Sequence, residues 1–253
     1  MLEDAVTGSP LAARPDFLPR NSVAEIHRRL RQQIVANEIA VGLELNQTQL
    51  AKTFGVSRGP VREALRMLQE EGLVEAERNL RSRVAPIHPE EVDAVYAQRI
   101  LLEGLGVTIT APSLGGDEFE QGESYVATMV ELQHNMDDYM KPHHDFHRLL
   151  ISQLPPPLLA TAEQFFTRTE RYRRFYSANT AQSAVIAAAE HRHLLDACRS
   201  LDVKVAAKVL AEHYTRTARH VLAVLAPAYE PRAVRAALAL FDSRPSYRPS
   251  VGP

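Results

Sequence analysis

The chain has 253 residues, 45% of them hydrophobic, and 29 Lys and Arg against 31 Asp and Glu give a formal net charge of −2. That composition can build one large domain or two ordinary ones, and the net charge alone says nothing in favour of nucleic acid. No apolar run approaches the roughly 20 residues of a membrane helix, the N-terminal stretch lacks a signal peptide's apolar centre, and the single cysteine, Cys198, excludes an intrachain disulfide, so a cytoplasmic protein with no membrane partner is expected.

Residues 1–20 hold three prolines and no periodicity and read as an arm. From Ser22, a plausible N-cap, Val23, Ile26, Leu30 and Ile34 recur at helical spacing. Asn46 is placed to cap a short helix that buries Leu50 and Phe54. Gly55-Val56-Ser57 follows as a tight turn, and Ser57 caps a third helix that runs to about Glu71 and stops at Gly72. Val74 to Glu77 and Arg83 to Ile87 read as two short strands around the polar tip Arg78-Asn79-Leu80-Arg81. Pro86-Ile87-His88-Pro89 is the linker, and Glu90-Glu91 open a new helix at its positive end.

Beyond the linker the chain reads as helix, broken near Pro112–Gly116, Pro155–Pro157 and Ala178–Thr180, with one short helix from Arg232 to Phe241. The expected fold is mostly α: an N-terminal winged helix-turn-helix (α+β), then an all-α antiparallel helical bundle. The expected domains are an arm at 1–20, a small α+β unit at 21–87, a helical unit at 88–226 and a tail at 227–253. Charge follows this division, since residues 20–87 carry 11 Lys and Arg against 8 Asp and Glu.

Two helices joined by a short glycine-containing turn make a helix-turn-helix, whose second helix can enter the major groove. On that helix Val61, Leu65 and Leu68 form the inward stripe, and Arg58, Arg62 and Arg66 recur every four residues beside it. Guanidinium groups so placed can reach phosphates or the O6/N7 edge of guanine. The alternative is a solvated face whose arginines pair with Glu63 and Glu70. A basic hairpin tip with Arg78, Arg81 and Arg83 following directly favours the DNA-reading alternative.

Residues 24–87 resemble the winged helix-turn-helix of the GntR family, through Ser57-Arg58-Gly59-Pro60-Val61-Arg62-Glu63-Ala64-Leu65, Leu68 and Glu71-Gly72-Leu73-Val74. The resemblance implies Arg58 and Arg62 as the central DNA contacts, with Ser57 and Arg66 on the same surface. Thr48 stands where relatives often carry a basic residue, and Arg81 where they have a wing glycine. Both are retained in the expected DNA-binding set.

Seven of the ten histidines fall between His143 and His220. His143 and His147 share a helical face one turn apart, a spacing that can hold one metal, and His144 with His147 is a second possible pair. Of His191 and His193 only one can join such a site. His213 shares a face with Ala206, Val209, Leu210 and Thr217 and points inward. A site between bundle helices could then use His143, His147, His191 and His213. The alternative for each is a hydrogen-bonded core residue.

The region 90–225 is similar to the FCD effector domain of FadR-type GntR regulators, through Arg99-Ile100-Leu101-Leu102-Glu103, Phe146-His147-Arg148, Glu190-His191-Arg192 and His213. Metal-binding members of that group join a carboxylate or amide residue to three histidines. His143 occupies the former position here, so the resemblance implies a four-histidine set. Neutral imidazoles suit Zn²⁺ or Ni²⁺. An effector carboxylate would pair with Arg99, whose alternative is a surface pair with Glu103; Tyr96, Arg173, Arg171 and Tyr172 could line the same cavity. The expected function is a homodimeric repressor of a palindromic operator, controlled by a small carboxylate. A metal-responsive regulator is the alternative, and a zinc hydrolase with Glu190 as base a further one.

Overall fold

The computed structural model describes residues 22–36, 38–76, 82–178 and 183–242. They fall into two compact units divided between Pro86 and Ile87. The arm at 1–20 and the tip Arg78–Arg81 lie outside the described residues.

The first unit consists of α1 (Ser22–Val35), β1 (Glu44–Leu45), α2 (Gln47–Phe54), α3 (Arg58–Glu70), β2 (Val74–Ala76) and β3 (Ser82–Val84). Ile26, Leu30 and Ile34 of α1 share a core with Val61, Leu65 and Leu68 of α3 and with Leu50 and Phe54 of α2. The Asn46 side chain accepts from the backbone N–H of Thr48 and Gln49, satisfying two of the donors that a helix start leaves open. Gly55 and Gly72 adopt left-handed φ of 65° and 72°, a conformation that costs an L side chain energy, which is why the turn and the helix stop fall there. Ser22 is the first residue of α1 rather than the residue before it. Ser57 occupies the N-cap of α3, as expected, but its side chain makes no capping bond.

The sheet is antiparallel in the order β1-β3-β2, with Leu45 opposite Ser82 and Val74 opposite Val84. The second expected strand starts one residue earlier and stops at Val84, short of Ile87, while Glu77, the expected end of the first, lies outside the described residues. Pro86 has no N–H to donate, so pairing cannot run on toward Ile87. Strand β1 was not expected, because two residues are too few to show alternation.

The second unit is helical: α4 (Pro89–Thr110), a 3-10 turn (Ala111–Ser113), α5 (Gly116–Glu131), α6 (Met136–Leu150), α7 (Pro156–Ala178), α8 (Ser183–Arg199), α9 (Val203–Leu225) and α10 (Arg232–Ala239). Helix α4 is the hub and packs most extensively on α9. It buries Val92, Tyr96, Arg99, Ile100, Glu103 and Val107 and leaves Leu101, Leu105 and Ile109 exposed as an apolar stripe. Helix α10 is fixed to α4 by Asp93, whose carboxylate accepts from Ala233 N at 3.0 Å and Val234 N at 2.9 Å. Beside it Phe241 lies so close to Gly104 that a Cβ there would stand 2.5 Å from the ring. Among the described residues no helix is long and apolar enough to cross a membrane.

Candidate nucleic-acid interface and candidate metal centre

Helix α3 presents Arg58, Arg62 and Arg66 on its exposed face. Arg66 is held along its own helix by Glu63 (2.7 Å) and by Glu70, so for this residue the solvated pairing is the one observed. Among the described residues neither Arg58 nor Arg62 makes an ion pair, and their guanidinium groups stay available. Exposed Ser57 stands at the start of α3, where no side chain caps the open N–H groups and a phosphate is favoured, and exposed Thr48 stands at the start of α2, where Asn46 already caps two of them. Arg81 lies outside the described residues. Sequence reasoning missed Glu71. Its carboxylate accepts from His27 Nε2 at 2.5 Å and Arg31 Nε at 3.1 Å, which ties the end of α3 to α1. No periodicity could reveal a bond across 44 residues.

In the second unit His143 and His147 of α6, His191 of α8 and His213 of α9 come together, each at most 3% exposed. Donor nitrogens of His143, His147 and His191 lie within 4.8 Å of one another. His213 stands just outside that group, its ring centroid 5.0 Å from that of His191 and 5.4 Å from that of His147. His143 Nε2 and His147 Nε2 face each other at 3.2 Å. Burial depresses the protonation of all four, so each imidazole is neutral near pH 7 and has a lone pair to give. His144 is not part of the cluster; its ring packs on Phe166.

Two outer arms orient these rings. Tyr214 donates its hydroxyl proton to Glu103 and accepts from Arg99 Nη2 at 2.6 Å. The 2.9 Å contact with His147 Nδ1 must then be donated by the imidazole, which leaves Nε2 as the acceptor turned toward the other histidines. Glu190 accepts from His213 Nδ1 at 2.8 Å and leaves its Nε2 free in the same sense. Glu190 also pairs with Arg216, so the carboxylate considered as a catalytic base is committed to positioning instead.

Four buried nitrogens in the cluster, His143 Nδ1, both of His191 and His213 Nε2, have no hydrogen-bond partner among the described residues. Burying unpaired polar atoms is costly, and one cation would satisfy His213 Nε2 and one nitrogen of His191 at once. The donor set is all nitrogen and neutral, which fits a late first-row ion and not Mg²⁺ or Ca²⁺.

Arg99 is 1% exposed and pairs with Glu103 (Nε to Oε1, 2.6 Å) and with Thr169 (2.8 Å). The pairing with Glu103 weighed from sequence does form, in the core and not at the surface. Tyr96 is fully buried, its hydroxyl without a partner among the described residues, and Arg173 reaches the Tyr139 hydroxyl at 3.4 Å. Among the described residues no carboxylate pairs with Arg173. Burial pushes the Cys198 thiol up to about 12, so it does not supply a thiolate ligand.

Residues 22–84 match the bacterial regulatory proteins of the gntR family, and residues 94–216 match the FCD domain. The chain belongs to the GntR family. This GntR protein is 25% identical over 204 residues to the HTH-type transcriptional regulator YdhC of Bacillus subtilis (strain 168), covering 79% of the chain and 91% of that relative. It is 24% identical over 198 residues to the HTH-type transcriptional repressor GlaR of Escherichia coli (strain K12), covering 74% and 90%. Among solved structures, E. coli McbR/YncC superposes with a TM-score of 0.65 at 20% identity, covering 83% of this chain and 99% of that one, a likeness of fold. The family and these relatives are transcriptional regulators, not enzymes, and the chain is a DNA-binding transcriptional regulator with the GntR-plus-FCD architecture.

Proposed function

We propose that this GntR regulator is a cytoplasmic homodimeric repressor of a palindromic operator, and that a small carboxylate metabolite bound at a metal ion in the effector unit sets its grip on DNA. Arg58 and Arg62 take base edges and phosphates, Thr48 and Ser57 seat the backbone, and Arg81 contributes from the wing. Arg66 shares its charge with Glu63 and Glu70 and adds little. The exposed stripe Leu101, Leu105 and Ile109 of α4 is the face a second copy would cover.

The observation that carries the effector half is the cluster of buried, unpartnered imidazole nitrogens from three helices. His143, His147, His191 and His213 would hold Zn²⁺ or Ni²⁺, and with neutral ligands only the ion keeps its full charge. When bound, it supplies a Lewis-acidic point to which a carboxylate can attach. Arg173 and the Tyr96 hydroxyl, both without a committed anion, would complete the grip. Arg99 already has Glu103 and acts mainly by holding Tyr214.

The carboxylate can shift DNA affinity only by binding one arrangement of the DNA-reading units better than the other. The test is electrophoretic shift on the DNA upstream of the chain's own gene, with a panel of small carboxylates. Retardation should be lost in Arg58→Ala with Arg62→Ala and altered by at least one carboxylate in metal-loaded protein. Retardation insensitive to every carboxylate would refute the effector half.

A further inference from the structure

We propose that the cleft between α9 and α10 is a second ligand site, for an organic anion with an apolar body, and that it acts on the histidine cluster through Arg216. The cleft encloses about 620 Å³, within the range of small-molecule sites. Most of its wall, from Arg219 through the 226–231 turn to Leu238, lies beyond residue 216, where the FCD match ends. Asp93 fixes α10 to α4, so the wall is preformed.

The chemistry of the lining points to an anion. Glu212, Thr215, Arg216, Arg219 and Ala223 line the cleft from one face of α9. Of the two acids at the cleft, Glu230 pairs with Arg235 at 2.9 Å, and Glu212 shares Lys208, 3.8 Å away, with Asp242, which holds it at 2.9 Å. Among the described residues Arg219 pairs with no carboxylate, and its guanidinium is the group in the cleft left to receive an anion. Thr215 is 8% exposed, and its hydroxyl has no partner among the described residues. Leu222 and Leu238 give the apolar surface on which a hydrocarbon body would rest.

Arg216 joins this cleft to the histidines. Its guanidinium pairs with Glu190 Oε1, while Glu190 Oε2 accepts from His213 Nδ1 at 2.8 Å. An anion that draws Arg216 toward the cleft leaves the Glu190 carboxylate to His213 alone. The imidazole then becomes more basic at Nε2 and a stronger metal donor. This second step rests on the metal reading above; the anion site does not. By linkage, metal would tighten anion binding by the same factor.

Calorimetric titration of phenylacetate into the full chain in EDTA tests the site without metal. Saturable binding is expected, weakened at least about tenfold in Arg219→Ala and abolished in Ala223→Phe, which fills the cleft from an exposed position. Circular dichroism should be unchanged in both. No saturable binding, or binding that both variants retain, would overturn the site, and inorganic phosphate binding as tightly would overturn its apolar half. Zinc affinity, measured by chelator competition, should rise severalfold with phenylacetate in wild type and not in Arg219→Ala. Cleft binding with unchanged zinc affinity would overturn the relay. A chain that takes up no zinc at all would defeat the metal reading, while the EDTA titration still decides the cleft.

Discussion

Tyr214 places one hydroxyl among three buried partners, Glu103, Arg99 and His147. Tyr214→Phe leaves an arginine and a carboxylate under-satisfied in the core, a loss of about 1–3 kcal/mol, and frees His147 to turn. Metal affinity should fall by about 10–100-fold in chelator competition; an unchanged value would mean that His147 is held by packing alone. The histidines also set a pH dependence. Burial holds His143, His147 and His191 below the ordinary value of 6.5, at which the unfolded chain titrates. Below pH 6.5 the unfolded state therefore binds more protons than the folded state, and metal-free protein loses stability as pH falls, by up to about 1.4 kcal/mol per pH unit per histidine. The urea midpoint in EDTA should be lower at pH 5.5 than at 7.5; equal midpoints would contradict the burial. Helical spacing marked His143 and His147 as a possible pair and turned His213 inward, while the choice of His143 over His144 and of His191 over His193 came from the resemblance to the FCD domain. Tyr214, Thr169 and Glu71 were not legible in the sequence, since each acts through partners 40 or more residues away.

At the scale of elements, α3 and α4 each carry a face that the fold leaves unburied. On α3 the arginines differ: Arg58→Ala or Arg62→Ala should weaken operator binding and reduce its salt slope by about 1, and Arg66→Ala should do little, because Glu63 and Glu70 already share that charge. Fluorescence anisotropy across a salt series checks this, and an equal loss at Arg66 would contradict it. On α4, Leu105→Glu should convert the proposed homodimer to folded monomer in light scattering; a dimer that persists would place the partner contact elsewhere. Helix caps, glycine stops and apolar stripes were readable because they are local, with Asn46, Gly55 and Gly72 each where the turn chemistry requires them. The two-residue strand β1 and the anchoring of α10 by Asp93 were not, since one is too short to alternate and the other is set by packing 140 residues away.

At the scale of the molecule, a helix-turn-helix unit and a helical FCD unit are joined in one chain, and each has its own core. The composition showed only that two cores were affordable; the match to the gntR family and the FCD domain makes the pairing a regulator. The proposed functional link between the units is a metal held by the histidine cluster, through which a carboxylate is sensed. The most direct test is metal analysis of the full chain purified without chelator, in wild type and in His147→Ala with His191→Ala. The account predicts about one zinc- or nickel-class ion per wild-type chain, lost in the double variant while the helical spectrum is kept. Wild-type protein free of metal, or a double variant that retains it, would contradict the account.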